Sequence, residues 1–355
     1  MGNVGTYVKK YCEQTVKQRC LALEDAVVLC ALSYLIFENV LSPFETKKLS
    51  ELYPFIDKLK ANAVLARSAQ KLYRHSINSN RYKDVIIENF INDFNPSDAV
   101  QFEAMTFRFD EDNLFIVFRG TDASFTGWKE DFFMTIKGLI PSQVKAKEYL
   151  EKIICGNKGK KIYVAGHSKG GNLTTYALLN ISESSFNLVE CAFDLDGPGF
   201  KEDIFSSELF KQRKEKLVRI IPYEDVIGQL MNANPDYLVV KSSLSRIAQH
   251  IIYAWHFKNG KVVLLPRLSK FSIKFNQRVN KWLKSLSDED ILMFINQVNL
   301  ALDKAKIDRF NDLSKNTLSK LKSLIKSYLK IEKNQKKHLK KLVRQFFKIY
   351  IRSIF

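Results

Sequence analysis

The apolar run Ile162-Tyr163-Val164-Ala165 leads straight into Gly166-His167-Ser168-Lys169-Gly170, and a helix-forming stretch from Asn172 to Ile181 follows. No other feature constrains this chain as strongly. A strand that turns into a helix this tightly brings the two backbones almost into contact. Small residues two before and two after the serine leave room where a Cβ would clash. Such a turn holds its central serine in a strained conformation with the hydroxyl clear of the main chain. The first N–H groups of the helix then face any negative charge that forms beside that hydroxyl. The pattern calls for an α/β sheet protein with the turn at one sheet edge, and for nucleophilic serine chemistry.

In α/β hydrolases this turn is the nucleophile elbow, and an acid and then a histidine follow it along the chain. After Ser168 the run Leu217 to Pro222 reads as a strand ended by proline, with Tyr223-Glu224-Asp225-Val226 directly behind it. A carboxylate just past a strand end lies on the same sheet edge as the elbow, which makes Asp225 the leading acid and Glu224 its rival. Asp194 and Asp196, in Phe193-Asp194-Leu195-Asp196-Gly197-Pro198-Gly199, read as a polar strand end before a Pro-Gly turn. Five histidines are present, at 75, 167, 250, 256 and 338. The first two precede the nucleophile, and His338 sits in a lysine-rich segment without a strand. His256 reads as part of a strand entering the Lys258-Asn259-Gly260-Lys261 turn. His250 lies in the loop before that hairpin, where a general base can reach the serine, and is preferred.

A further strand, Leu114 to Phe118, ends in Arg119-Gly120-Thr121-Asp122 and pairs with Gln101 to Phe109 through the turn at 110–113. Phe118-Arg119-Gly120-Thr121, Trp128, Asp131 and Gly166 to Gly171 together resemble the class 3 lipases, the fungal triacylglycerol lipase type. Phe118 to Asp122, Gly127 to Phe132, and Gln249-His250 with Trp255 are similar to an uncharacterised bacterial family of the same α/β-hydrolase superfamily. The resemblance covers roughly residues 20 to 265. It implies Ser168 as nucleophile, Asp225 as acid and His250 as base. It also implies an oxyanion hole made by the amides of Thr121 and Lys169, with the Thr121 hydroxyl as an added donor and the lysine side chain unused. The Asp225-to-His250 interval is short for a fungal-type lipase and leaves little room for a large substrate loop.

Charge divides the chain. From Arg267 to Phe355 there are 22 lysines and arginines against 7 aspartates and glutamates, so this part carries +15 of the total +18. It holds no proline or glycine and reads as helical throughout. Leu318, Leu321, Ile325 and Tyr328 form one apolar stripe, and Leu339, Leu342, Phe346, Ile349 and Tyr350 another, with lysines on the other faces. A basic amphipathic helix can lie on an anionic membrane, hold nucleic acid, or simply pack its stripe on the core. A lipid surface fits best with an esterase core, and no familiar base-reading motif is present.

Cysteines 12, 20, 30, 155 and 191 have no zinc-type spacing and read as reduced, packed thiols. No secretory signal is visible at the start and no apolar run reaches a membrane span. Met1-Gly2 with Thr6 fits the loose myristoylation pattern. The expectation is therefore a polar lead over 1–20, an α/β-hydrolase domain over 21–265 and a basic helical extension over 266–355. The domain should have a mixed central sheet with helices on both faces. Leu21 to Asn39 should be a helix, and helical pieces from Pro43 to Phe94 are suited to cap the site. The expected protein is a cytoplasmic enzyme, peripheral to the inner membrane face. It would cleave a carboxylic ester, an acyl lipid or lysophospholipid, through an acyl-enzyme, with no metal or organic cofactor. The alternative is a silent hydrolase-like scaffold that binds an anionic partner through the tail.

Overall fold

The computed structural model describes residues 2–59, 66–95, 97–98, 100–121, 130–131, 133–136, 138–293, 296–297 and 333–354. Residues 122–129, with Trp128, and the stripe Leu318, Leu321, Ile325 and Tyr328 lie outside the described residues.

In chain order the helices are α1 (Val4–Tyr11), α2 (Leu23–Leu32), α3 (Ala66–Ile77), α4 (Pro141–Cys155), α5 (Lys169–Asn180), α6 (Glu183–Leu188), α7 (Glu208–Arg213), α8 (Lys270–Leu283) and α9 (Lys333–Ile354). The strands are β1 (Lys47–Lys48), β2 (Ile86–Asn95), β3 (Val100–Arg108), β4 (Asn113–Phe118), β5 (Lys161–His167), β6 (Val189–Leu195), β7 (Leu217–Pro222), β8 (Leu238–Val240), β9 (Phe257–Lys258), β10 (Lys261–Val262) and β11 (Leu264–Leu265).

Among the described residues, nine strands form one mixed sheet in the order β1-β2-β3-β4-β5-β6-β7-β8-β11. β1 to β4 pair antiparallel, β4 to β8 run parallel, and β11 closes the far edge antiparallel. The parallel strands are short, almost wholly apolar runs, as strands covered on both faces must be. One apolar cluster joins α1, α2 and α3 to one face through residues such as Tyr7, Leu29, Phe107 and Phe115. A second joins α4 and α5 to the other face through Leu150, Leu173, Ile116 and Val164. The expected α/β architecture with helices on both faces is present. Truncating a fully buried side chain such as Leu29 to alanine would cost about 2–5 kcal/mol.

The sequence misleads at the amino-terminal end. Residues 1–20 are not a polar lead. α1 buries Val4, Tyr7 and Val8 in the first cluster, and Gly2 forms a bridge with Phe257. Arg81 fixes this arrangement. Its guanidinium pairs with the buried Asp25 carboxylate at 2.6 and 2.7 Å and also donates to the carbonyls of Gln14, Thr15, Arg19 and Cys20. The stretch from Pro43 to Phe94 is not all helical either. Ile86 to Asn95 is a strand, because its apolar residues have β3 to pair with. The helix expected over Leu21 to Asn39 stops at Leu32, and a 3-10 turn at Phe37–Asn39 follows. Cys12 and Cys30 are buried, but Cys20 and Cys155 are exposed.

The basic extension is helical where it is described, and its helices do not float free. Phe271, Phe275 and Val279 of α8 are buried against Ile349 and Tyr350 of α9. Trp282 Nε1 donates to Gln345 Oε1 at 3.1 Å, and Arg278 Nη1 to the Arg352 carbonyl. Ser272 and Asn276 of α8 both hold the backbone carbonyl of Asp225, at 2.8 and 3.1 Å. Among the described residues no helix is long and apolar enough to cross a membrane.

Candidate active site

Because β4, β5, β6 and β7 are parallel, their carboxyl ends share one sheet edge, where ligands of open α/β sheets bind. Arg119-Gly120-Thr121, Ser168, Asp196 and Asp225 each follow one of these ends.

Ser168 sits between β5 and α5 at φ 61° and ψ −127°. A non-glycine residue held there stores on the order of 1–3 kcal/mol, which the surrounding turn must offset. Its amide donates to the Leu195 carbonyl at 2.9 Å, and its carbonyl accepts from Gly171. The flanking glycines explain themselves. A Cβ on Gly166 would lie 2.0 Å from the Gly170 backbone, and one on Gly170 would lie 2.1 Å from the Phe118 carbonyl oxygen. Strand, helix and the neighbouring strand β4 meet at van der Waals distance. An alanine at either position would force them apart.

His250 stands beside the elbow. Its ring centroid lies 4.6 Å from that of His167, the residue before the serine. His250 Nδ1 lies 2.6 Å from Asp196 Oδ2, within hydrogen-bond reach. In the tautomer whose Nδ1–H donates to a carboxylate, Nε2 is the nitrogen with a lone pair. Burial lowers the His250 pKa, against the opposing pull of Asp225 and Asp131. The ring is therefore neutral near pH 7, the form a base needs. His256 lies just before β9, with its amide on the Lys241 carbonyl and its carbonyl on the Val263 amide.

The carboxyl on the His250 ring is thus Asp196, where Asp225 was expected. The register explains the difference. His167 pairs with Leu195, so Asp196 stands directly beside Ser168 on the edge, whereas Asp225 lies one strand further away. Burial raises the Asp196 pKa to about 7, with the Asp225 hydrogen bond opposing. Asp225 is completely buried behind it. Its Oδ1 accepts from the amides of Ile227 and Gly228, its Oδ2 from that of Gln229, and Gly228 N also donates to Asp196 Oδ1. Glu224, the rival, does not reach the histidine. It braces the loop ahead of it, accepting from the Arg246 amide, the Arg246 guanidinium and Gln249 Nε2.

Sequence reasoning passed over His167 and Tyr34. His167 Nε2 lies 2.8 Å from the His250 carbonyl oxygen, which can only accept, so Nε2 carries the proton. Nδ1 is then the acceptor for the Tyr34 hydroxyl at 2.7 Å. Burial, with His250 close by, pushes the His167 pKa far down and keeps the ring neutral. Trp255 Nε1 holds the Gln249 carbonyl at 3.0 Å. Two consecutive carbonyls, 249 and 250, are thereby pinned, which fixes His250 relative to the elbow. The cue was visible in the histidine inside the elbow and in Gln249, His250 and Trp255 falling close together.

A Cβ on Gly120 would lie 3.2 Å from Ser168 Cβ, so the chain after β4 runs against Ser168. Thr121 follows Gly120 past the end of β4, and Lys169 follows Ser168 as the first residue of α5. The Thr121 hydroxyl is not a spare donor, because it donates to Asp131 Oδ2 at 2.6 Å. Nor is the Lys169 side chain idle. It is fully buried and donates to the Gln101 carbonyl, Gln101 Oε1 and Glu130 Oε2 at 2.5, 2.6 and 2.9 Å. Glu130 also accepts from Ser142 Oγ and the amides of Gln101 and Ser142. Replacing Lys169 by leucine would strand a buried carboxylate, and the expected loss in urea unfolding is about 3–5 kcal/mol. A loss below 1 kcal/mol would contradict the burial of this pair.

Among the described residues no group of three or more His, Cys, Asp or Glu side chains is arranged to hold a metal ion. No curated protein matches the chain. Solved structures similar to it include the Rhizomucor miehei lipase propeptide complex, at 14% identity and TM-score 0.38, covering 64% of this chain and 71% of that one. Another is a mutant form of MDLA from Penicillium cyclopium, at 10% identity and TM-score 0.40, covering 67% and 83%. M37 lipase aligns at 17% identity and TM-score 0.35, covering 59% and 69%. Residues 76–299, more than half of the chain, match the Mbeg1-like family model, and the chain belongs to that family.

Proposed function

We propose that the protein is a serine hydrolase that cleaves a carboxylic ester, with an acyl lipid or lysophospholipid as substrate. Ser168 Oγ attacks the ester carbonyl as His250 Nε2 takes its proton. Asp196 holds the imidazole in the reactive tautomer and stabilises the imidazolium. The alcohol leaves with the proton from His250, and water then releases the acid from Ser168 by the same route. The amides of Thr121 and Lys169 stabilise the oxyanion. Lys169 is the first residue of α5, so its N–H has no partner within the helix.

The observation that carries this reading is the strained Ser168 turn, whose His167 ring lies 4.6 Å from that of His250, together with the buried carboxyl on His250 Nδ1. The test is turnover of p-nitrophenyl esters of rising chain length by the full chain, its His250→Ala variant and its His256→Ala variant. Loss of turnover in the first variant and retention in the second are expected. Inertness of the wild type toward every ester would end the ester-hydrolase reading.

The extension supports a second proposal, peripheral contact with an anionic lipid surface. Lys337, Lys340, Lys341, Arg344 and Lys348 of α9 line one cavity and are exposed. Each basic residue near such a surface is attracted by about 1 kcal/mol, less at high salt. Changing these five to glutamate should abolish pelleting with anionic vesicles and leave turnover of a small ester within about twofold. Deleting α9 is the poorer test, because it would uncover Phe271, Phe275 and Val279. Pelleting that ignores both salt and the charge reversal would contradict the contact. Binding to DNA without vesicle binding would favour the silent scaffold instead.

A further inference from the structure

Four ionisable side chains are buried together behind the histidine: Asp194, Asp196, Asp225 and Arg219. The cluster holds three potential negative charges and one positive. Arg219 lies nearest Asp194, with Nε 3.6 Å from Oδ2, and spends its other donors on the carbonyls of Gly197, Gly228 and Asn234. Asp194 and Arg219 thus balance one another. Asp196 and Asp225 remain, brought together by the Gly228 amide, which donates to one oxygen of each at 3.1 and 2.7 Å. Two carboxyls that share one N–H away from water do not both ionise, so the pair keeps one proton.

Its location follows from His250. For Nε2 to act as a base, Nδ1 must carry the ring proton and Asp196 must accept it, which requires an ionised Asp196. We infer that Asp225 is the partner that keeps its proton, and that it acts as a neutral positioning residue donating an O–H bond to the Asp196 carboxylate. Its role is to orient Asp196 and hold it ionised. The helix α8, whose Ser272 and Asn276 grip the Asp225 carbonyl, fixes this donor from behind. Burial and the Asp196 charge both raise the Asp225 pKa far above the ordinary carboxyl value, and they outweigh the opposing Gly228 amide and Arg219.

This inference rests on the reading of Ser168 and His250 as catalytic residues, and it reverses the expectation for one substitution. An amide at 225 has the shape of the protonated acid and can donate to Asp196, at the loss of one of the two oxygens that now serve the Ile227, Gly228 and Gln229 amides. Asp225→Asn should therefore keep turnover within about threefold. Asp225→Ala leaves Asp196 without that charged hydrogen bond, and turnover should fall about 10- to 100-fold. Were Asp225 ionised and itself the acid, the asparagine variant would lose about 10³-fold or more, and that outcome overturns the inference while leaving the hydrolase reading in place.

Two measurements do not depend on activity. Infrared spectra of the wild type at pH 8 should contain a protonated-carboxyl band that Asp225→Asn removes; its absence from the wild type overturns the inference whatever the enzyme does. The second is stability against pH. A carboxyl whose folded pKa is raised binds its proton more tightly in the folded state, so its contribution to stability fades as pH rises above about 4. Asp225→Asn removes that term, while Asp194, Asp196, Arg219, His250 and Asp131 stay in place. The Tm of the variant should gain on the wild type steadily from pH 4 to pH 8. Parallel curves would overturn the proton assignment.

Discussion

Ser168→Ala should lower ester turnover by about 10⁶-fold, the size of loss seen when a serine nucleophile is removed from a complete triad. That corresponds to about 8 kcal/mol of transition-state stabilisation. The fold should tolerate the change, since alanine keeps the Cβ and the same positive φ and removes only the hydroxyl oxygen. Ester binding should survive as well, because the Thr121 and Lys169 amides are untouched. The check is kcat on a soluble ester with the unfolding midpoint measured alongside. A residual rate above about a hundredth of wild type would mean that the serine is not the nucleophile.

Asp196→Asn should cost about 10⁴-fold in kcat with little change in KM. Asparagine can keep the shape of the contact, but an amide that turns its NH₂ toward the ring favours the wrong tautomer and places the proton on Nε2. The charge that stabilises the imidazolium is lost too. The loss should be far larger than that of Asp225→Asn, and this contrast separates the carboxyl on the ring from the one behind it. Equal losses in the two variants would contradict the division of roles.

Much of this was legible in the chain. The glycines at 166 and 170, the order of serine before histidine, and the strands 114–118, 161–167 and 217–222 all follow from local pattern. The acid was harder, because the choice depends on register. Asp196 and Asp225 both follow strand ends, and only the pairing of His167 with Leu195 places the former beside the serine. Residues 1–20 looked polar because α1 buries one narrow face, Val4, Tyr7 and Val8, and leaves its lysines outside. The Lys169–Glu130 pair was hidden for a different reason. A buried ion pair between residues far apart in sequence leaves no periodic trace, and the side chain of the lysine after Ser168 was expected to be unused.

The most direct test is covalent labelling of the full-length protein with a fluorophosphonate probe, followed by mass mapping of the modified peptide. Phosphonylation requires a serine whose proton is removed by a correctly held base and whose oxyanion is stabilised, so it reads the whole arrangement at once. The expected result is a single adduct on Ser168, absent from Ser168→Ala and His250→Ala and retained in His256→Ala. No adduct on the folded wild type, or an adduct on a residue other than Ser168, would contradict the account.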